Sequence, residues 1–121
     1  DIKIIDNKEH QKYTGVSNNQ ILSNFKKLLE EGKHIILRFP VIPGITDTEE
    51  NISQMEEWLK QLPLDNLREI NLLPFHKIGQ SKYKKLSRVN QLTKLKSPSS
   101  ERLNQLLERF RALGFNVKIG G

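Results

Sequence analysis

EINLLPFHKIG, Glu69 to Gly79, begins as a buried strand and ends in proline, phenylalanine, histidine and lysine before a glycine. An interior strand seldom carries so polar an ending unless something is held there. In parallel α/β sheets, ligands bind beyond the carboxyl ends of the strands. The question for the rest of the chain is whether its other strands end in the same way.

Upstream, HIILRFPVIPG contains the continuous apolar run Ile35, Ile36 and Leu37, expected where both faces of a parallel sheet are covered. Pro40 is expected to end this strand, and Pro43-Gly44 to turn the chain. Between the two strands, the spacing of Ile52, Met55, Leu59 and Leu62 predicts a helix from about Thr48 to Leu62. Thr46 or Asp47 can cap it, with Glu49 and Glu50 three residues on. A further helix fits SNNQILSNFKKLLEEG, with Ser17 and Gln20 as a capping box and Gly32 as the stop. The opening DIKIID alternates as a strand does. Downstream, the spacing predicts a helix from about Pro98 to Leu113, then a short strand in FNVKIGG.

The order is strand, helix, strand, helix, strand, long loop, helix, strand. It predicts an α/β fold of three consecutive βα units on a parallel sheet with right-handed crossovers, plus a short C-terminal strand. Such a unit fits a small open sheet or half of a larger barrel. The chain opens inside a strand pattern without Met, so a fragment of something longer is expected.

The 121 residues suit one small domain, and 28% charged residues suit a globular chain. No apolar run approaches the ~20 residues that cross a bilayer, so no membrane association is expected. Cysteine is absent, which excludes disulfides, a thiol nucleophile and any cysteine-held metal within this chain. The simplest compartment is cytoplasmic. The formal charge of +6 resides in one segment: Lys77 to Lys96 holds seven basic residues and no acidic one. The remainder carries 13 basic and 14 acidic residues. That segment reads as a solvated loop or as a docking surface for an acidic partner. A polyanion-binding module is the competing function. It is the weaker one for nucleic acid, because only Tyr83 offers a stacking ring.

Four polar groups fall in or just past predicted strands. Asp1 and Lys3 share a face of the first strand by the period of two. Arg38 lies near the expected end of the second, and His76 follows Pro74 of the third. Each has a plain alternative: Asp1 with Lys3 as a local pair, Arg38 snorkelling to water, His76 on the surface. Together they suit one ligand. Arg offers a fork for a carboxylate. Asp accepts from an ammonium or ribose hydroxyls, and His76 with Phe75 could face a purine. An amino acid joined to a nucleoside meets all of these demands. Glycine-rich phosphate loops, a Ser-His-Asp arrangement and paired metal-binding histidines are missing. His10 and His34 belong to no constellation.

The segments DIKIID, YTGVSNNQILSNFKKL, ILRFPVIPGITDTEENI, INLLPFHKIGQSKY and KSPSSERLNQL, in that order, resemble the C-terminal half of the glycyl-radical enzyme activating enzymes. The group includes pyruvate formate-lyase activating enzyme. The resemblance spans nearly all of residues 1–121 and is most specific at Val41–Gly44 and Leu73–Gly79. It implies part of a (β/α)6 TIM-like barrel of the radical S-adenosylmethionine type. It also implies two cofactors, S-adenosylmethionine and a [4Fe-4S] cluster. Their chemistry makes a 5′-deoxyadenosyl radical that takes a hydrogen atom from a glycine of a partner such as pyruvate formate-lyase. Flavodoxin or ferredoxin is the implied electron donor. By resemblance, Asp1 and Lys3 lie near the ribose and amino-acid end of the cofactor, and Arg38 at its carboxylate. His76 lies beside its ribose or adenine. Asp1 also matches an aspartate that helps to hold a monovalent cation. The family's cluster cysteines, spaced C-x3-C-x2-C, have no counterpart here. The chain alone is therefore expected to be inactive, and its exposed sheet edges to favour self-association. A fragment of another radical S-adenosylmethionine enzyme is the nearest alternative.

Overall fold

A computed structural model describes residues 1–62, 67–75 and 96–120. In chain order these form α1 (Asn7–Thr14), α2 (Asn19–Glu30), β1 (Ile35–Val41), α3 (Glu49–Lys60), β2 (Leu67–Pro74), α4 (Ser100–Ala112) and β3 (Val117–Ile119). The strands make one parallel sheet in the order β1-β2-β3. The expected α/β class and parallel sheet are therefore borne out. His76 and the basic segment through residue 95 lie outside the described residues.

Strand alternation divides the sheet into two unlike faces. Leu37 and Phe39 of β1 lie in register with Ile70 and Leu72 of β2, and Ile70 with Val117 of β3. All are buried. Helices α2, α3 and α4 cover this face with Phe25 and Leu29, with Ile52, Met55 and Leu59, and with Leu103, Leu106 and Phe110. Phe39 meets Phe110 edge-on, with ring centroids 6.2 Å apart, a geometry the ring quadrupoles favour. The second face carries Ile36, Arg38, Glu69, Asn71 and Lys118. Its Ile36 is 50% exposed, so the expectation of cover on both faces of Ile35–Leu37 does not hold there.

Pro40 does not end β1, which continues to Val41 in register with Pro74. The reason is directional. Ile2 N–H donates to the Arg38 carbonyl (3.0 Å), and the Thr46 hydroxyl donates to the Pro40 carbonyl (2.6 Å). These groups point to the edge away from β2, where a proline's missing N–H interrupts no ladder.

The opening segment is also not a ladder strand. Its tie to β1 through Ile2 is a single backbone bond, and the chain then enters α1, which alternation did not reveal. Asp6 caps α1 by accepting from Glu9 N–H (3.0 Å), and Gly15 closes it at φ 80°. The Ser17–Gln20 capping box is replaced. Asn18 sits at the N-cap of α2, while Ser17 Oγ accepts from Asn19 N–H and Gln20 bonds Asn24. Thr48, not Thr46 or Asp47, caps α3 by accepting from Asn51 N–H. Thr46 is drawn inward by β1, and Asp47 accepts from Gly44 N–H (2.7 Å) across the turn. Ser99 caps α4 by accepting from Arg102 N–H.

Helices α3 and α4 are joined by charge as well as by packing. Arg109 reaches Glu49 at 2.8 Å and Glu56 at 2.5 Å, and Arg102 bonds the Asp47 carbonyl. The Arg109 hydrogen bond and charge, aided by Arg102, hold the Glu49 carboxyl below its ordinary 4.5. A carboxyl that binds protons less readily when folded stabilises the fold above its unfolded pKa. The contribution is lost as pH falls through the lowered value.

Two outcomes are expected. Phe110→Ala, at a fully buried position, should cost about 3–5 kcal/mol in urea unfolding. Glu49→Gln should flatten the loss of stability on acidification below 4.5, read as urea midpoints across that range. Because Glu49 is exposed, the difference should be small and should shrink with added salt.

Candidate functional site

The site is built on the uncovered face, beginning with the segment that carries Asp1 and Lys3. Ile2 and Ile4 are buried, so the alternation turns Asp1 and Lys3 the other way. Two asparagines fasten this segment. Asn51, 3% exposed in the first turn of α3, accepts from Ile5 N–H (2.9 Å). It donates to the Lys3 carbonyl (2.9 Å) and the Thr46 carbonyl (2.7 Å). Asn18 donates to the carbonyls of Ile4 (2.9 Å) and Ile5 (2.8 Å). Side-chain amides thus do for this segment what a backbone ladder does for a strand.

So held, Asp1 stands beside Arg38, with Oδ1 3.6 Å from Nε. Both side chains are about half exposed, so the pair is weak and can be displaced by a ligand. Burial lowers the Lys3 ammonium below 10.5. The structure brings together Asp1, Lys3 and Arg38, three of the four residues expected from the sequence.

Arg38 does not lie near the end of its strand: β1 runs on to Val41, so Arg38 stands mid-strand on the uncovered face. Phe75 does not face a ligand. It is fully buried against Ile4, Ile42 and Ile45.

Asn71 of β2 is in register with Arg38 on one side and Lys118 of β3 on the other. Lys118 Nζ pairs with Glu69 at 3.5 Å. Neither Asn71 nor Lys118 emerged from the sequence reading. The available signal was a carboxamide inside the apolar run INLLP. A separate cleft of about 340 Å³ between α1 and the start of α3, lined by Glu9, Tyr13 and Glu50 among others, includes none of Asp1, Lys3 or Arg38. Among the described residues, no group of three or more His, Asp or Glu could hold a metal ion. No helix there is long and apolar enough to cross a membrane.

The sequence and the fold both have known relatives. The chain is 43% identical over 123 residues to trans-4-hydroxy-L-proline dehydratase activating enzyme of Clostridioides difficile, covering 100% of this chain and 40% of that protein. It is 35% identical to pyruvate formate-lyase 2-activating enzyme of Escherichia coli K12, with the same coverage. The chain is a homologue of the glycyl-radical enzyme activating enzymes. A solved domain of pyruvate-formate lyase-activating enzyme from Bacteroides vulgatus matches with a TM-score of 0.78 at 30% identity. That match covers 99% of this chain and 64% of the other. No protein-family model matches the chain. The chain spans about 40% of the length of the two activating enzymes from Clostridioides difficile and Escherichia coli.

In this activating-enzyme homologue, Asn51 decides where Asp1 and Lys3 stand. Asn51→Ala removes the partners of Ile5 N–H and of two carbonyls at once, each worth roughly 1–3 kcal/mol when buried. It should lower the unfolding midpoint and release the Ile5 amide to rapid hydrogen exchange. An unchanged exchange rate at Ile5 would show that the segment is held by other means.

Proposed function

We propose that residues 1–121 are the C-terminal half of the barrel domain of a glycyl-radical enzyme activating enzyme, and that their inner face binds S-adenosylmethionine. The supporting observation is the gathering of Asp1, Lys3 and Arg38 on a sheet face that no described helix covers.

The residues suit this cofactor. The Arg38 guanidinium offers parallel donors for the amino-acid carboxylate once Asp1 yields. Lys3, partly desolvated, adds a cation at close range. Asp1 accepts from the ligand's ammonium or ribose hydroxyls. His76 is assigned to the ribose or adenine by resemblance to the family alone. The chain lacks cysteine, so none of its residues provides the thiolates of an iron–sulfur cluster. With an iron–sulfur cluster held outside these residues, S-adenosylmethionine on this face would supply the chemistry for hydrogen-atom abstraction from a glycine of the partner enzyme. The residues of this chain bind and orient the cofactor. An electron carrier such as flavodoxin or ferredoxin would complete the system, in the cytoplasm, and a monovalent cation beside Asp1 would fit the family's pattern. The residues of this chain alone would not perform the reaction.

The test uses the complete polypeptide with its cluster reconstituted. Arg38→Gln should weaken S-adenosylmethionine binding about tenfold or more, the loss of a charge-assisted contact. The glycyl radical on a pyruvate formate-lyase-type partner, read by electron paramagnetic resonance, should fall in parallel. Undiminished affinity in Arg38→Gln would remove the cofactor assignment.

A further inference from the structure

Asn71 lies in the middle of β2, 5% exposed, and its Oδ1 is buried without a hydrogen-bond partner. It is the buried side-chain polar atom among the described residues that the fold leaves unsatisfied. Buried polar groups are nearly always paired, and an acceptor left unpaired destabilises the fold. The carboxamide gains nothing from its neighbours across the sheet. Arg38 turns to Asp1, and Lys118 turns to Glu69. A lysine and an arginine, both donor-rich, flank an acceptor and leave it open. An apolar side chain of similar size would fill the same place at no such cost.

We infer that Asn71 is a cofactor-binding residue: its Oδ1, set in register between Arg38 and Lys118 on the inner face, accepts a hydrogen bond from an N–H or O–H donor of the ligand whose carboxylate Arg38 takes. Neighbouring strands stand about 4.8 Å apart. One molecule bearing both a carboxylate and a donor can therefore span the two positions. This inference rests on the assignment of S-adenosylmethionine to that face. It adds a neutral residue that reads a donor, where the assignment so far has charged groups and an imidazole. The donor belongs to either half of the molecule, the amino acid or the nucleoside, and the two are separable by experiment.

The experiment compares wild type, Asn71→Leu and Asn71→Asp in the complete polypeptide. Each is measured for thermal unfolding without ligand and for the Kd of S-adenosylmethionine. Asn71→Leu removes the open acceptor and should leave the ligand-free Tm unchanged or raised, while Kd rises about tenfold. Asn71→Asp keeps an acceptor and should retain binding within a few-fold. Competition by methionine or by 5′-deoxyadenosine, whichever loses potency in Asn71→Leu, identifies the half that Asn71 reads. A lowered ligand-free Tm with unchanged Kd would assign Asn71 to internal structure and overturn the inference. Absence of S-adenosylmethionine binding by the wild type would instead overturn the underlying assignment. Binding by the wild type that Asn71→Leu preserves would overturn this inference alone.

Discussion

The side-chain amide of Asn51 is the interaction on which the arrangement depends. It closes three hydrogen bonds at once, to Lys3, Ile5 and Thr46, from the first turn of α3. The opening segment otherwise has one backbone bond to β1 and two bonds from Asn18. Fixing a segment of flexible chain costs about 1–2 kcal/mol per residue in backbone entropy. That cost is offset by burying Ile2 and Ile4 and by satisfying the segment's polar groups through the two asparagines. The backbone that carries Asp1 and Lys3 is thereby held alongside β1, with Asp1 beside Arg38.

The second constraint is the one-sided core. Three helices spend their apolar stripes on a single sheet face, and strand alternation then delivers every other residue to the opposite side. On that side stand Arg38, Glu69, Asn71 and Lys118, charged or polar groups that would be costly beneath a helix. A polar inner face framed by a packed outer one suits a barrel wall, and the match to a solved activating-enzyme domain agrees with it.

Much of this was legible in the sequence. The three principal helices and the strands at Ile35 and Leu67 follow from apolar spacing. The period of two correctly set Asp1 and Lys3 on a common side. What stayed hidden was governed by contacts with no periodic trace. Asn51 meets residues 46 and 48 positions away, and a lone asparagine announces no such reach. Asn18 stands at the start of α2 with its amide given to Ile4 and Ile5, and Thr48 caps α3 because Thr46 is bound to Pro40 and Asp47 to Gly44. Pro40 misled because a proline stops a strand only where its N–H would have been used, which depends on which neighbour lies on which side. Asn71 was visible as a carboxamide among leucines, but its unfilled acceptor is a property of three strands together.

The outer edge of β1 shows what that proline accomplishes. The Arg38 carbonyl is occupied by Ile2, the Pro40 carbonyl by the Thr46 hydroxyl, and Pro40 offers no donor. A foreign chain laid along this strand finds no unbroken row of groups to zip onto. The same few atoms that border the polar face of the sheet thus also deny amyloid-like stacking a template at that margin.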